Sequence, residues 1–167
     1  MKVFIIAAVT ADGLIGATSD HAADWTSKED KQLFKSLTTE AGVMVMGSNT
    51  YKTIDRALPG RQTIVYTHNA DPEYPEGVTA TTKPAAELIA ELNEKGVTAV
   101  AICGGAQIYD LFLRSGVVTE LYLTIEPVLF GQGIHLFKSA TFQKLELMES
   151  RKLNDNVLLA HYKLLAE

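Results

Sequence analysis

The stretch Trp25-Thr26-Ser27-Lys28-Glu29-Asp30-Lys31-Gln32-Leu33-Phe34 predicts a helix that directs a carboxylate toward an apolar face. Thr26 and Glu29 stand three residues apart, which is the spacing of a capping box at a helix start. Asp30, Phe34 and Leu37 recur at helical spacing, so their side chains share one face. A carboxylate on an apolar face costs free energy unless it meets a partner.

Two interpretations of Asp30 are open from this placement. An acidic side chain in the first turn is stabilised by the positive end of the helix dipole and can stay in contact with water. Because Glu29 is expected to serve the cap, Asp30 is also free for a role in binding or catalysis. Features elsewhere in the chain bear on this choice.

Apolar segments of strand length alternate with helical segments along most of the chain. Strands are expected at residues 2–9, 43–46, 62–67, 97–103 and 120–129, and helices at residues 26–38, 48–55, 83–95 and 108–114. Residues 144–153 and 157–165 predict a hairpin at the edge of the sheet. The pattern indicates one α/β domain over residues 1–167, with a mostly parallel central sheet, a C-terminal antiparallel hairpin and helices on both faces.

Three connections in this pattern favour a binding site. Residues 10–25 form a glycine-rich and polar loop, longer than most connections, which predicts a functional or mobile segment. Gly47 and the pair Gly104 and Gly105 each join a strand to a helix, and such turns present backbone N–H groups to an anion. The spacing of these glycines is not that of a GxGxxG fingerprint, so it does not predict a Rossmann fold.

Composition excludes several classes of protein. The net charge of −5 lacks the basic footprint of a nucleic-acid binder. Cys103 stands alone and the four histidines show no ligand spacing, so neither a disulfide nor a metal site is expected. The apolar run at residues 3–9 is too short to span a membrane. We therefore expect a cytoplasmic protein that binds small molecules.

Several motifs, taken in order and with their spacing, resemble dihydrofolate reductase over residues 3–125. They are Asp12-Gly13-Leu14-Ile15-Gly16, Trp25 five residues before Asp30, Met46-Gly47-Ser48-Asn49-Thr50-Tyr51, Leu58-Pro59-Gly60-Arg61, Gly104-Gly105-Ala106-Gln107-Ile108-Tyr109 and Leu121-Tyr122-Leu123-Thr124. The resemblance implies a reductase that uses NADPH to reduce dihydrofolate.

The resemblance also implies roles for substrate residues. Asp30 would hydrogen-bond the pterin ring and help protonation at N5, with Thr124 supporting it and Trp25 holding water at the pocket edge. Arg61 would bind the α-carboxylate of the folate tail, for which a planar bidentate donor is suited. The implied substrate pocket comprises Ile6, Ala8, Asp30, Lys31, Phe34, Ile54, Leu58, Arg61 and Tyr109.

For the cofactor, the resemblance implies that the two glycine turns receive the phosphates of NADPH and that the loop at residues 10–24 closes over the nicotinamide. The implied set comprises Ala7, Ile15, Gly16, Gly47, Ser48, Asn49, Thr50, Thr67, His68, Lys83, Cys103, Gly104, Gly105, Ala106, Gln107, Ile108 and Tyr109. Ser48 stands where many family members have a basic residue. Thr67, His68 and Lys83 are then the nearby candidates for binding the 2′-phosphate.

Two alternatives to dihydrofolate reduction stay open. Residues 124–133, with the sequence TIEPVLFGQG, resemble instead the reductase domain of riboflavin biosynthesis, which has the same fold and reduces a ribosyl-aminopyrimidine phosphate. Trp25, Asp30 and Arg61 favour dihydrofolate over that substrate. The other alternative is a nucleotide-binding domain without catalysis, against which Asp30 argues. A monomer and a homodimer are both compatible with these readings.

Overall fold

Strands and helices alternate through most of this computed structural model, which describes residues 1–18, 21–69, 72–139 and 142–166. The strands are β1 (Lys2–Thr10), β2 (Leu14–Gly16), β3 (Val43–Gly47), β4 (Gln62–Tyr66), β5 (Val78–Thr81), β6 (Ala99–Ile102), β7 (Glu120–Glu126), β8 (Ile134–His135), β9 (Leu145–Lys152) and β10 (Leu158–Leu164). The helices are α1 (Lys28–Ala41), α2 (Ser48–Ile54), α3 (Ala85–Glu94) and α4 (Ala106–Arg114). A 3₁₀ turn, Ala23–Trp25, precedes α1.

The main sheet has the strand order β5-β4-β3-β6-β1-β7-β10-β9. The strands from β5 to β7 pair in parallel, whereas β10 pairs antiparallel with both β7 and β9. The predicted α/β class, with a mostly parallel sheet and a C-terminal antiparallel hairpin, is therefore confirmed. β1 lies near the middle of the sheet, where both of its faces are covered, and this burial explains why its sequence is a continuous apolar run.

Alternate residues of β1 enter two apolar clusters, one on each face of the sheet. Val3 and Ile5 pack with residues of α3 and α4, including Leu88 and Phe112. Phe4 and Ile6 pack in the other cluster, with residues from α1 and α2. This arrangement confirms the helices on both faces and anchors α1, which carries Asp30, on the sheet.

The N-cap of α1 lies one residue later than predicted. Ser27, not Thr26, is the cap, because its Oγ accepts a hydrogen bond from the Asp30 N–H at 3.1 Å. The Thr26 hydroxyl instead donates to the carbonyl of Ala23 in the preceding 3₁₀ turn, at 3.2 Å. Glu29 accepts from Asn154 Nδ2 at 3.0 Å and does not serve the cap. The predicted capping box is thus wrong, although the helix is correct.

Other boundaries also differ. The first helix continues to Ala41, three residues beyond the predicted end, and Gly42 stops it with a φ of 72°. Strand β5 and the short β2–β8 pair were not predicted, since their segments are too short to show a clear apolar period. Residues 19–20, in the predicted loop at residues 10–25, and residues 70–71, between the predicted strand 62–67 and helix 83–95, lie outside the described residues.

Candidate active site

A cleft of about 1050 Å³ opens at the carboxyl ends of the parallel strands. Ligands of open α/β sheets bind at this edge, and the volume is at the upper end for small-molecule sites. Every residue of the predicted substrate pocket and of the predicted cofactor set lines the cleft, and so does Trp25. Thr124, on β7, is the exception among the predicted site residues. The sequence therefore predicted a set of side chains that the fold brings together.

Some residues that line the cleft were not predicted as site residues. Thr81 and Thr82 lie at the end of β5, and Ile134 begins β8. Thr18 and His21 lie on the loop before α1. Residues at the ends of strands are the usual candidates for a site, but β5 and β8 are too short to be recognised from sequence.

Asp30 lies in the first turn of α1 and is only 9% exposed. Burial raises the pKa of its carboxyl, and the nearby charge of Glu126 raises it further. The hydroxyl groups of Thr124 and Thr26 and the charge of Lys31 oppose this effect without cancelling it. The Asp30 carboxyl therefore holds a proton more readily than an ordinary aspartate does.

Two polar atoms near this end of the cleft are buried and have no hydrogen-bond partner among the described residues. They are the indole Nε1 of Trp25 and the hydroxyl oxygen of Thr124, which meets no hydrogen-bond geometry in this structure but lies near enough to the Asp30 carboxyl to lower its pKa. Thr124 lies beside Ala8 in the β1–β7 register and is 1% exposed. The Trp25 ring contacts Phe130 edge-on, with centroids 5.1 Å apart. Buried polar atoms without partners are uncommon, so this region offers hydrogen-bonding capacity to a bound ring.

Arg61 follows a turn in which Gly60 has a φ of 76°. Its Nη1 donates to the carbonyl of Lys35 at 3.0 Å and to the hydroxyl groups of Thr38 and Thr39 at 2.6 and 2.8 Å. Its Nε is buried and has no partner among the described residues. Three bonds to α1 thus fix the orientation of the guanidinium at the wall of the cleft.

The two glycine turns meet in the floor of the cleft, where the Gly47 N–H donates to the carbonyl of Gly104 at 2.7 Å. Gly104 has a φ of 104°, and a Cβ there would lie 3.0 Å from the Tyr109 hydroxyl oxygen. A Cβ on Gly47 would lie 3.1 Å from Ile108 Cγ1. Because side chains are excluded here, a ligand can approach the backbone closely, as the pyrophosphate of a dinucleotide requires.

The residues predicted to bind the 2′-phosphate lie near the carboxyl end of β4 and are Thr67, His68 and Lys83. Thr67 Oγ1 accepts from the Asn69 N–H at 3.1 Å. Lys83 forms an ion pair with Glu91 of α3, and this hydrogen bond raises the pKa of Lys83. His68 is exposed. Lys83 therefore brings a positive charge to the cleft, where it is paired with the carboxylate of Glu91.

The loop between β1 and α1 is tied to a distant part of the chain. The Asp12 carboxylate accepts from the N–H groups of Phe130 and Gly131, at 3.3 and 2.8 Å. Strand β2, which includes Ile15 and Gly16, pairs with β8. A Cβ on Gly133 would lie 2.3 Å from the carbonyl oxygen of Gly16, so the pairing needs glycine there. The prediction of a loop without regular structure is corrected in this respect.

Two further classes of site are not found among the described residues. No helix there has the length and apolarity needed to cross a membrane. No group of His, Cys, Asp and Glu side chains in these parts of the chain is arranged to hold a metal ion. Cys103 is buried, and burial raises the pKa of its thiol, so it packs as a small apolar side chain.

A family model described as dihydrofolate reductase matches residues 2–157. The chain belongs to the dihydrofolate reductase family. Among curated relatives, the uncharacterised protein YwjB of Bacillus subtilis (strain 168) is 27% identical over 170 residues, covering 96% of this chain and 97% of YwjB. The dihydrofolate reductase of Enterococcus faecalis, solved with NADP(H), has a TM-score of 0.75 and 21% identity, covering 98% of this chain and 96% of that one.

A second structural neighbour is named as a combined deaminase and reductase. It is the diaminohydroxyphosphoribosylaminopyrimidine deaminase/5-amino-6-(5-phosphoribosylamino)uracil reductase of Thermotoga maritima, with a TM-score of 0.80 and 15% identity. The match covers 98% of this chain and 56% of the longer enzyme. At these identities both structures show a shared fold, while the family model supports a reductase-like enzyme.

Proposed function

We propose that this protein is an NADPH-dependent dihydrofolate reductase that converts dihydrofolate to tetrahydrofolate, a step of one-carbon metabolism. The observation that carries the proposal is Asp30, a buried carboxyl with a raised pKa at the wall of a cleft that Ile6, Phe34 and Ile54 also line. Perturbed carboxyl groups in clefts are typical of acid–base sites. When bound, NADPH would supply a hydride to the substrate.

The chain's own residues would bind the pterin and govern its proton. Asp30 would accept hydrogen bonds from the 2-amino group and N3 of the ring, and its readily held proton would favour protonation at N5. Trp25 Nε1, which has no partner among the described residues, and Thr124 Oγ1 would complete the polar contacts or hold an ordered water. Ile6, Phe34 and the other apolar residues would keep bulk water away from the ring.

The glycine turns fit a dinucleotide because their backbone is accessible. Gly47, Gly104 and Gly105 would face the pyrophosphate, and Ser48, Asn49 and Thr50 would add polar groups. Thr67, His68 and Lys83 would bind the 2′-phosphate, with Lys83 exchanging its contact with Glu91 for the ligand. Ile15 and Gly16 line the cleft, and closure of the loop before α1 would bring them over the nicotinamide.

Substrate choice is the decisive test. Purified protein would be mixed with NADPH and either dihydrofolate or the aminopyrimidine of riboflavin biosynthesis, and the loss of NADPH absorbance would be followed. We expect rapid oxidation with dihydrofolate. Oxidation with the aminopyrimidine alone would contradict the pterin roles of Trp25, Asp30 and Arg61. Saturable NADPH binding without oxidation by either compound would support a non-catalytic binding protein.

The second candidate function is reduction of a ribosyl-aminopyrimidine phosphate. The resemblance of residues 124–133 to riboflavin-pathway reductases favours it. The Thermotoga maritima neighbour is named for such a reaction and shares the fold. Asp30 and Arg61 support dihydrofolate instead, since a pterin and its glutamate tail would use both groups. For either reaction we propose cytoplasmic action as a monomer or homodimer, which light scattering of the purified protein would distinguish.

Arg61 provides a test of the folate tail. In Arg61→Lys we expect the KM for dihydrofolate to rise about tenfold, because a bidentate contact with the α-carboxylate is lost. The value of kcat is expected to change less. A dihydropterin without the glutamate tail serves as the control substrate, and its KM is expected to stay the same. An equal rise in KM for both substrates would indicate that Arg61 only supports helix α1.

A further inference from the structure

A second buried carboxyl group lies near Asp30 and is connected to it through Ser27. Glu126, the last residue of β7, is 2% exposed. Its Oε1 accepts from the Ser27 N–H at 2.8 Å and from the Ser27 hydroxyl at 2.7 Å. The same Ser27 oxygen accepts from the Asp30 N–H at 3.1 Å. A continuous chain of hydrogen bonds thus joins the end of β7 to the first turn of α1.

The partners of Glu126 are neutral groups. Buried carboxylates in proteins are usually paired with a cation, and no Lys, Arg or His forms an ion pair with Glu126 among the described residues. The nearby charged group is instead the carboxyl of Asp30. A negative charge beside a buried carboxyl favours the protonated form of that carboxyl, and this is the direction in which Glu126 acts on Asp30.

We propose that Glu126 is a positioning residue for Asp30, which fixes the first turn of α1 through Ser27 and places a negative charge beside the Asp30 carboxyl. The inference rests on the proposed function only for its effect on turnover. For the reduction, Asp30 would keep its proton at higher pH than it would beside a neutral residue. Glu126 touches neither ring nor cofactor in this role.

The other groups near Asp30 do not account for this effect. Lys31, from the same helix, lowers the pKa of Asp30. Tyr109, from α4, has its own pKa raised well above the ordinary value by burial, so it stays neutral. Thr124 on β7 and Thr26 before α1 present hydroxyl groups, which also lower the pKa of Asp30. Besides burial, Glu126 is therefore the neighbour that favours the protonated form.

Glu126→Gln separates the two parts of the proposal. The amide oxygen of glutamine can accept both bonds from Ser27, while the negative charge is removed. Room for the amide nitrogen exists because Glu126 also lines a second cavity of about 440 Å³, bounded by Ser27 and by the hairpin residues 154–157. Glu120→Gln, at the other end of the same strand, is the matched control.

The first measurement is a carbon-13 NMR titration of the side-chain carboxyl groups in the free protein, with the Asp30 signal assigned by its loss in Asp30→Asn. In Glu126→Gln we expect the Asp30 midpoint to move about one pH unit toward acid, the size expected from losing a like charge nearby. In Glu120→Gln we expect no shift. An unchanged midpoint in Glu126→Gln, or an equal shift in Glu120→Gln, would overturn the proposal.

The second measurement is the pH profile of kcat/KM with whichever substrate is reduced. The proposal predicts that Glu126→Gln moves the alkaline limb toward acid by the same amount, so the rate at neutral pH falls up to about tenfold. A uniform loss of rate at every pH would overturn the electrostatic role and leave a structural one. If neither substrate is reduced, the proposed function fails, whereas the NMR titration still decides the role of Glu126.

Discussion

Strand β7 carries a glutamate at each end, and their surroundings are opposite. At its first residue, Glu120 Oε2 lies 2.9 Å from Lys2 Nζ and 2.8 Å from His161 Nε2, and it accepts from the Tyr122 hydroxyl at 3.1 Å. Burial acts to raise the pKa of Glu120, but these partners outweigh burial and lower it. At the last residue, Glu126 meets the neutral groups of Ser27 and the carboxyl of Asp30.

The two glutamates illustrate two uses of charge. Glu120 is held by ion pairs within the fold, whereas Glu126 acts on the carboxyl of a candidate site residue. The cluster at Glu120 pairs its charges internally and lies at the amino end of β7, away from the carboxyl ends of the strands where the cleft opens. Asp30 lines the cleft, and Glu126 beside it forms no ion pair with Lys, Arg or His among the described residues. Such an arrangement costs stability, and proteins keep it where reactivity requires it.

Among variants at the two ends of β7 and their partners, Asp30→Asn is expected to give the largest effect, a loss of turnover. The variant keeps the shape of the side chain but cannot hold an acidic proton, so turnover of dihydrofolate at neutral pH should fall by about a hundredfold or more. NADPH affinity, measured by fluorescence quenching, is expected to stay nearly unchanged because the glycine turns are untouched. Comparable turnover of the wild type and the variant from about pH 5 to 8 would contradict the assignment of Asp30.

Ser27→Ala is expected to give an intermediate effect. The change removes the N-cap of α1 and the hydroxyl that joins Glu126 to Asp30, while both carboxyl groups remain. We expect a loss of about 1–2 kcal/mol in the free energy of unfolding, measured by urea denaturation. Thr26→Ala is the control, since its hydroxyl closes the preceding 3₁₀ turn and does not cap α1. A larger loss in Thr26→Ala would return the cap to the position predicted from sequence.

Which features could be predicted from sequence depends on how local their causes are. The apolar runs of β1 and β3, the glycine turns and the Leu58-Pro59-Gly60-Arg61 turn follow from short patterns, and the structure brings them to one cleft. The cap was misplaced because Thr26 and Ser27 are both suitable residue types, and contacts outside the helix decide between them. The β2–β8 pair joins segments far apart in the chain, so neither segment alone indicates it.

Glu126 was missed for a related reason, although a signal was present. The resemblance placed Thr124 beside Asp30, and side chains two residues apart on a strand point to the same face. Glu126 should therefore face the start of α1 as well. The residues around Glu126 resemble riboflavin-pathway reductases, and this resemblance bears on the substrate, not on the face of β7 to which the side chain points.

The smallest expected effects are on stability, and they have opposite signs at the two sites. The lowered pKa of Glu120 means that its contribution is present above its ordinary pKa and is lost as the pH falls through the lower value of the folded state. The raised pKa of Asp30 means that ionisation costs stability, and this cost disappears as the pH falls toward the ordinary value.

At neutral pH, Glu120→Gln should therefore lower Tm by about 2–4 °C, and Asp30→Asn should raise it by a similar amount. Both differences should vanish in strong acid, where the native carboxyl groups are protonated. Calorimetry across pH checks this, and a fall in Tm for Asp30→Asn at neutral pH would show that the Asp30 carboxylate is stabilised like Glu120, which would remove the contrast between the two ends of β7.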